Sequence, residues 1–259
     1  MLELKQIESF YPEPLRSFKR NLLREYLQYK ILEIVFASEF AAKLVFMGGT
    51  AIHIAHGLPR FSEDLDFDNL GLNKEKFSTL TAMIRRKLEL QGYKVEAKNS
   101  FAGAYRAYLR LADILYDNKL SAHREEKLLI QLDAEPQKFP YRADKIIINK
   151  FDVFARINVV PADVLLSQKI NAIFMRRRPM GRDFYDAIFL FGKTNPNSDY
   201  LELKLGIKDV SSLKNRIAKH SRNFDFRKLA EDVKRFLFFP DDAKKVLLFN
   251  DFMKDFDGR

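Results

Sequence analysis

The residues able to do chemistry concentrate in two short stretches, Gly48-Gly49-Thr50-Ala51 and Arg60-Phe61-Ser62-Glu63-Asp64-Leu65-Asp66-Phe67. Asp64 and Asp66 stand two apart in an apolar run that reads as a strand over 61–67. Alternate strand residues share a face, so both carboxylates point the same way, about 6–7 Å apart along the strand. Leu65 and Phe67 then turn toward a core. Two carboxylates on one wet face, beside a glycine turn at a helix start, suit a divalent cation carrying a phosphate chain. Nucleotidyl transfer needs that combination.

A glycine pair by itself is often only a tight connection. Here it follows an apolar strand, 44–47, and precedes Thr50, which can cap a helix over 51–56. Backbone N–H groups and the Thr50 hydroxyl can bind phosphate oxygens in such a turn. No Lys follows the glycines, so the turn is not a P-loop. Asp133 closes the apolar strand Leu128-Leu129-Ile130-Gln131-Leu132. It is either a rigidly held third ligand or a strand-end residue leading into a turn at Glu135-Pro136. Three carboxylates can hold two divalent ions, one lowering the pKa of an attacking hydroxyl and the other neutralising a triphosphate. Asp68 shares the face of Asp64 and Asp66, but Asn69-Leu70-Gly71 after it suggests the start of a turn.

Lys169 falls on the apolar stripe of a helix, four residues after Leu165 and four before Ile173. A buried ammonium needs an anion, here a triphosphate or a carboxylate; otherwise its stem lies on the stripe and its head reaches water. Arg176-Arg177-Arg178 and then Gly181-Arg182-Asp183-Phe184-Tyr185-Asp186 follow. Asp183 and Asp186 share a face of the next helix. Helix-dipole stabilisation accounts for Asp183, less well for Asp186, which leads into an apolar run. The three arginines are either a phosphate or RNA contact or a plain basic loop. Of the four histidines, His53 and His56 share the short helix but lack metalloprotease spacing and read as surface or packing residues, and no serine-hydrolase signature occurs.

The elements that must position these groups follow from periodicity. A long helix is expected over 15–43, a helix capped by Asn73 ending at Gly92, and strands over 93–97, 105–111 and 127–133, with a short edge strand at 146–148. From Pro161 onward the pattern is helical. The expectation is a mixed α/β (α+β) chain: a core with a mixed sheet flanked by helices over 1–158, and a helical C-terminal lobe over 159–259.

The 259 residues include no cysteine, which excludes a disulfide scaffold, thiolate metal sites and a cysteine nucleophile. A 47% hydrophobic and 31% charged composition supports a real core. The net charge of +10 favours anionic partners such as nucleic acid, nucleotides or an acidic protein. No apolar stretch nears the ~20 residues of a membrane span and no signal segment opens the chain, so a cytoplasmic location without membrane contact is expected.

Gly48-Gly49-Thr50-Ala51, Arg60 to Phe67, Lys169 and Arg182-Asp183-Phe184-Tyr185-Asp186 occur in the order seen in the AbiEii/AbiGii-type nucleotidyltransferase toxins, of the DNA polymerase β-like superfamily. The chain resembles that family over about 44–191. The resemblance implies a nucleotidyltransferase core, transfer of a nucleotide from an NTP with Mg²⁺ or Mn²⁺, and a cognate antitoxin. Its acceptor would be RNA such as tRNA, or a protein hydroxyl; a non-catalytic basic RNA-binding module is the other outcome. Carried over by residue, Asp64, Asp66 and Asp133 would bind metal. Gly48, Gly49, Thr50 and Ser62 would bind nucleotide, Lys169 the triphosphate, and Asp183 and Asp186 would orient Lys169 or the acceptor. The family often has a Lys two before its Asp, where this chain has Gln131.

Overall fold

Helices and strands form where the apolar periodicity demands, and capping and turn chemistry set their ends. A computed structural model describes residues 2–258, which cluster into two compact units, 2–56 with 61–160, and 57–60 with 161–258. In the first unit a short helix α1 (Leu4–Ser9) precedes α2 (Lys19–Phe36), which is buried along most of its length. The sequence suggests a longer helix, over 15–43. It stops at Phe36 because the Ser38 hydroxyl takes the Val35 carbonyl (2.6 Å) and accepts from the Phe40 N–H (3.2 Å). Local side-chain bonds of this kind compete with the helical ladder.

Strand β1 (Leu44–Met47) runs directly into helix α3 (Gly48–His56). Gly48 makes the junction at φ +78°, so the helix starts three residues earlier than the capping pattern suggests. Next come β2 (Leu65–Asn69) and α4 (Lys74–Leu90). The Asn73 side chain accepts the Lys76 N–H at 3.0 Å, and Phe77, Leu80, Ile84 and Leu88 are buried, as the sequence anticipates. Strands β3 (Lys94–Ser100) and β4 (Tyr105–Ala112), a one-turn α5 (Ile114–Asp117), and strands β5 (Leu128–Pro136), β6 (Asp144–Lys150) and β7 (Val153–Val159) complete this unit.

The sheet order is β3-β4-β5-β2-β1-β7-β6, with β2–β5 and β1–β7 parallel and the remaining pairs antiparallel. The mixed sheet with flanking helices agrees with the sequence; several boundaries do not. β2 begins at Leu65, not Phe61, because Gln28 Nε2 donates to the carbonyls of Ser62 (3.1 Å) and Glu63 (3.0 Å) and holds that stretch as a loop. Asp68 is a buried strand residue that accepts the Tyr141 hydroxyl, not a turn. Asp133 lies inside β5, which continues through Glu135 and Pro136 as the partners of Asp68 and Asn69.

The second unit is helical: α6 (Ala162–Met175), α7 (Gly181–Phe191), α8 (Ser198–Leu205), α9 (Val210–Ser221), α10 (Phe226–Lys234), α11 (Lys244–Leu247) and α12 (Phe249–Asp255). Asn197, Asp209 and Asp225 cap α8, α9 and α10 through their side chains. Phe184 meets Phe249 edge-on, ring centroids 4.9 Å apart, in the core of this unit. No helix among the described residues is long and apolar enough to cross a membrane.

Beneath α3, Glu25 of α2 is 3% exposed, takes the Lys150 ammonium at 2.7 Å and faces His53 Nε2 at 3.1 Å. Burial alone would raise its pKa; His53 and Lys150 outweigh burial and bring it down to about 2, from 4.5. A carboxyl depressed in the folded state contributes stability above its unfolded pKa and loses it as pH falls through the folded value. We therefore expect Glu25→Gln to be less stable than wild type by about 2–3 kcal/mol at pH 7, the gap closing between about pH 4.5 and 2. Urea unfolding of both proteins across that range checks this; a gap independent of pH would count against it.

Candidate active site

Register brings the conspicuous carboxylates of the first unit together. Met47 at the end of β1 pairs with Asp66, and Asp66 pairs with Asp133 across the parallel β2–β5 ladder. Asp64 lies just before β2, on the same alternation as Asp66. Asp66 and Asp133, distant in sequence, are thus neighbours on the interior strands β2 and β5, with Asp64 two residues before Asp66.

The Asp66 carboxylate occupies the space that a side chain on Gly48 would need. A Cβ built on Gly48 would fall 2.2 Å from Asp66 Oδ2 and 2.9 Å from its carboxyl carbon. The carboxylate therefore lies against bare backbone at the N-terminus of α3, where first-turn N–H groups and the helix dipole favour negative charge. Gly49 and Thr50 are buried in that turn. Thr50 Oγ1 donates to the Asp64 carbonyl at 2.5 Å, so its proton is already used to pin the loop before β2 onto the helix start. Ser62 is half-buried in the same loop, and its carbonyl is held by Gln28.

Asp133 is more constrained than the sequence reading supposes. Gln131 Nε2 donates to its Oδ1 at 2.9 Å, and Arg106, its register partner on β4, brings Nε within 3.5 Å of Oδ2. The Gln131 amide thus holds the carboxylate directly. Among the described residues no group of three or more His, Asp or Glu side chains is spaced to hold a metal ion. The Asp64/Asp66 pair still suits Mg²⁺, which usually takes one or two protein carboxylates and fills its octahedron with waters and phosphate oxygens. The absence of a side chain on Gly48 lets the Asp66 carboxylate sit at a helix start, where first-turn N–H groups favour anions.

In the second unit Lys169, Asp183 and Asp186 do meet. Lys169 Nζ lies 2.8 Å from Asp186 Oδ2 and 3.3 Å from Asp183 Oδ1. Arg60, 1% exposed, grips Asp186 with Nε at 2.6 Å and Nη2 at 2.7 Å, and Arg176 Nε reaches Asp183 Oδ2 at 2.7 Å. Burial opposes ionisation of Asp186, but the Arg60 guanidinium and the Lys169 ammonium prevail and hold it at about 2. Arg60, whose partner the sequence leaves unassigned, is the centre of this cluster. Its signal is an arginine between Pro59 and Phe61 in an apolar setting, a charge that needs a buried counter-ion.

A mixed sheet with paired acidic residues at the start of a glycine-led helix defines the class: a nucleotidyltransferase fold. The same fold occurs in JHP933 from Helicobacter pylori (TM-score 0.55, 19% identity, 90% of this chain and 91% of that one) and in a putative nucleotidyltransferase from H. pylori (0.54, 18%, 90% and 93%). No curated protein matches the sequence. The chain belongs to the AbiEii nucleotidyl transferase toxin family of type IV toxin–antitoxin systems, whose model matches residues 30–257. Membership in that family implies an antitoxin partner.

Two substitutions separate the roles of these clusters. Gly48→Ala combines a left-handed backbone with a clash against Asp66, so we expect a loss of about 1–3 kcal/mol together with displacement of the carboxylate; guanidinium unfolding and a transfer assay read both. Asp186→Asn leaves a buried guanidinium facing a neutral amide and is expected to cost about 3–5 kcal/mol. A melting temperature equal to that of wild type would refute the structural role of Asp186.

Proposed function

We propose that the protein is a metal-dependent nucleotidyltransferase that moves NMP from an NTP to an acceptor hydroxyl on RNA, tRNA being one candidate, and so acts as the toxin of its pair. The observation that carries this reading is the Asp66 carboxylate seated on the bare Gly48 backbone at the start of α3, with Asp64 beside it on the same alternation. Asp64 and Asp66 would hold Mg²⁺ or Mn²⁺. When bound, the ion supplies charge neutralisation for the triphosphate and lowers the pKa of the attacking hydroxyl. Gly48, Gly49 and Thr50 offer first-turn N–H groups to the phosphates, and the Ser62 loop borders them in sequence. Asp133, oriented by Gln131 and Arg106, is the candidate acceptor of the hydroxyl proton at its carboxylate. Lys169 is the candidate phosphate-binding cation of the second unit, its ammonium positioned by Asp183 and Asp186.

The net charge of +10 favours a polyanionic acceptor. Transfer to a protein hydroxyl would use the same carboxylates, and the label itself separates the two. With radiolabelled NTPs, total RNA and whole-cell protein, wild type is expected to label RNA. Asp64→Ala and Asp66→Ala should lose that label, as should wild type in a chelator. Equal labelling by wild type and Asp66→Ala would remove these carboxylates from the mechanism; label on protein alone would move the acceptor to a side-chain hydroxyl.

A further inference from the structure

The second unit carries a basic groove that the transfer chemistry does not use. The 176–180 connection between α6 and α7 faces α10 across an open cavity of about 900 Å³, lined by Arg176, Arg177, Arg178, Met180, Lys228 and Arg235. The wall is built closely: Gly181 has no side chain because a Cβ would fall 1.8 Å from the Leu229 carbonyl oxygen, so the start of α7 packs on the α10 backbone. The two acids on this wall are engaged, Asp232 accepting the Gly181 N–H at 3.2 Å and Glu231 facing Lys234 at 3.4 Å. Arg176 is committed to Asp183. Arg177, Arg178 and Arg235 are exposed, and none of the three has a carboxylate partner among the described residues.

We propose that this groove binds the phosphate backbone of single-stranded RNA. Guanidinium groups kept together without counter-ions repel one another, and such a set is stabilised when anions fill it. Lys228 and Arg235 lie two helical turns apart, about 10 Å, with the arginine loop opposite, a spread wider than one triphosphate and suited to a run of phosphates. Met180 and Pro179 supply an apolar floor, and guanidinium planes stack on unpaired bases. This inference rests on the transfer reading only for the idea that the bound RNA is also the acceptor; RNA binding itself does not require the chemistry.

The test is fluorescence anisotropy with a labelled single-stranded RNA, in EDTA and without NTP, over a salt series. Four proteins are compared: wild type, Arg177→Glu/Arg178→Glu, a charge-matched control reversing the exposed Arg86 and Lys98 of the first unit, and Asp66→Ala. Thermal melts establish that each is folded. The groove variant is expected to bind roughly tenfold or more weakly, with a salt slope lower by about 1.4, at about 0.7 per phosphate contact. The charge-matched control should stay near wild type. Unchanged affinity in the groove variant overturns the proposal, and so does an equal loss in the control, which would mean diffuse charge. Polyglutamate displacing the RNA at equal charge concentration also overturns it and redirects the groove to an acidic protein. If the groove variant loses RNA while wild type transfers no nucleotide, the transfer reading fails alone. If Asp66→Ala loses transfer while the groove variant keeps its RNA, the groove proposal fails alone.

Discussion

Asp66 occupies the space where a side chain on Gly48 would be, and the architecture of the first unit follows from that contact. The β1–β2 register sets Met47 opposite Asp66, so the chain leaving β1 must turn away at once. Only a glycine in the left-handed region can make that turn while a carboxylate presses on its α-carbon. α3 therefore starts with no connecting residues, its N-terminus beside the Asp66 carboxylate. The Thr50 hydroxyl closes the arrangement by tying the helix start to the Asp64 carbonyl, and Gln28 fixes the loop behind it. The cost of a fixed, negatively charged carboxylate is offset by the helix start it faces.

The second unit solves a different electrostatic problem. Arg60 and Asp186 are both fully buried, and isolated charges there would be prohibitive. A two-pronged guanidinium–carboxylate contact, with Lys169 and Asp183 alongside, satisfies them together. Well-packed apolar side chains of equal volume often serve stability as well as such a cluster does, whereas removing one partner leaves an uncompensated buried charge. The contrast with Arg177, Arg178 and Arg235 is informative. In one unit the chain places guanidinium groups where every charge is matched and also where none is, and only the second kind is available to an outside anion.

Much of this was legible in the chain. The alternation in β4, the Asn73 cap and the apolar face of α4, and the helical character after Pro161 all follow from local rules and hold in the structure. The strand boundaries went wrong where a distant side chain intervened. Nothing local to Ser62 and Glu63 shows that Gln28 takes their carbonyls, and nothing local to Asp68 shows that β5 continues to Pro136 beside it. Of the partners of Asp133, Gln131 is a same-strand neighbour, but Arg106 depends on the β4–β5 register, and register is a property of two strands together.

By itself the sequence determined the chemistry on offer: glycines at a strand–helix junction, acids at alternate positions, a lysine on an apolar stripe, an arginine run. Residue type and short-range spacing are enough for that, because periods of 2 and 3.6 decide which side chains share a face. Tertiary structure alone decided which charges neutralise each other. It paired Arg60 with Asp186 across 126 residues, set Arg106 beside Asp133, and left the arginine loop facing α10 with charge unspent. Coulombic and hydrogen-bond partners are fixed by distances of a few ångströms in space, and a linear chain does not encode those distances until it has folded.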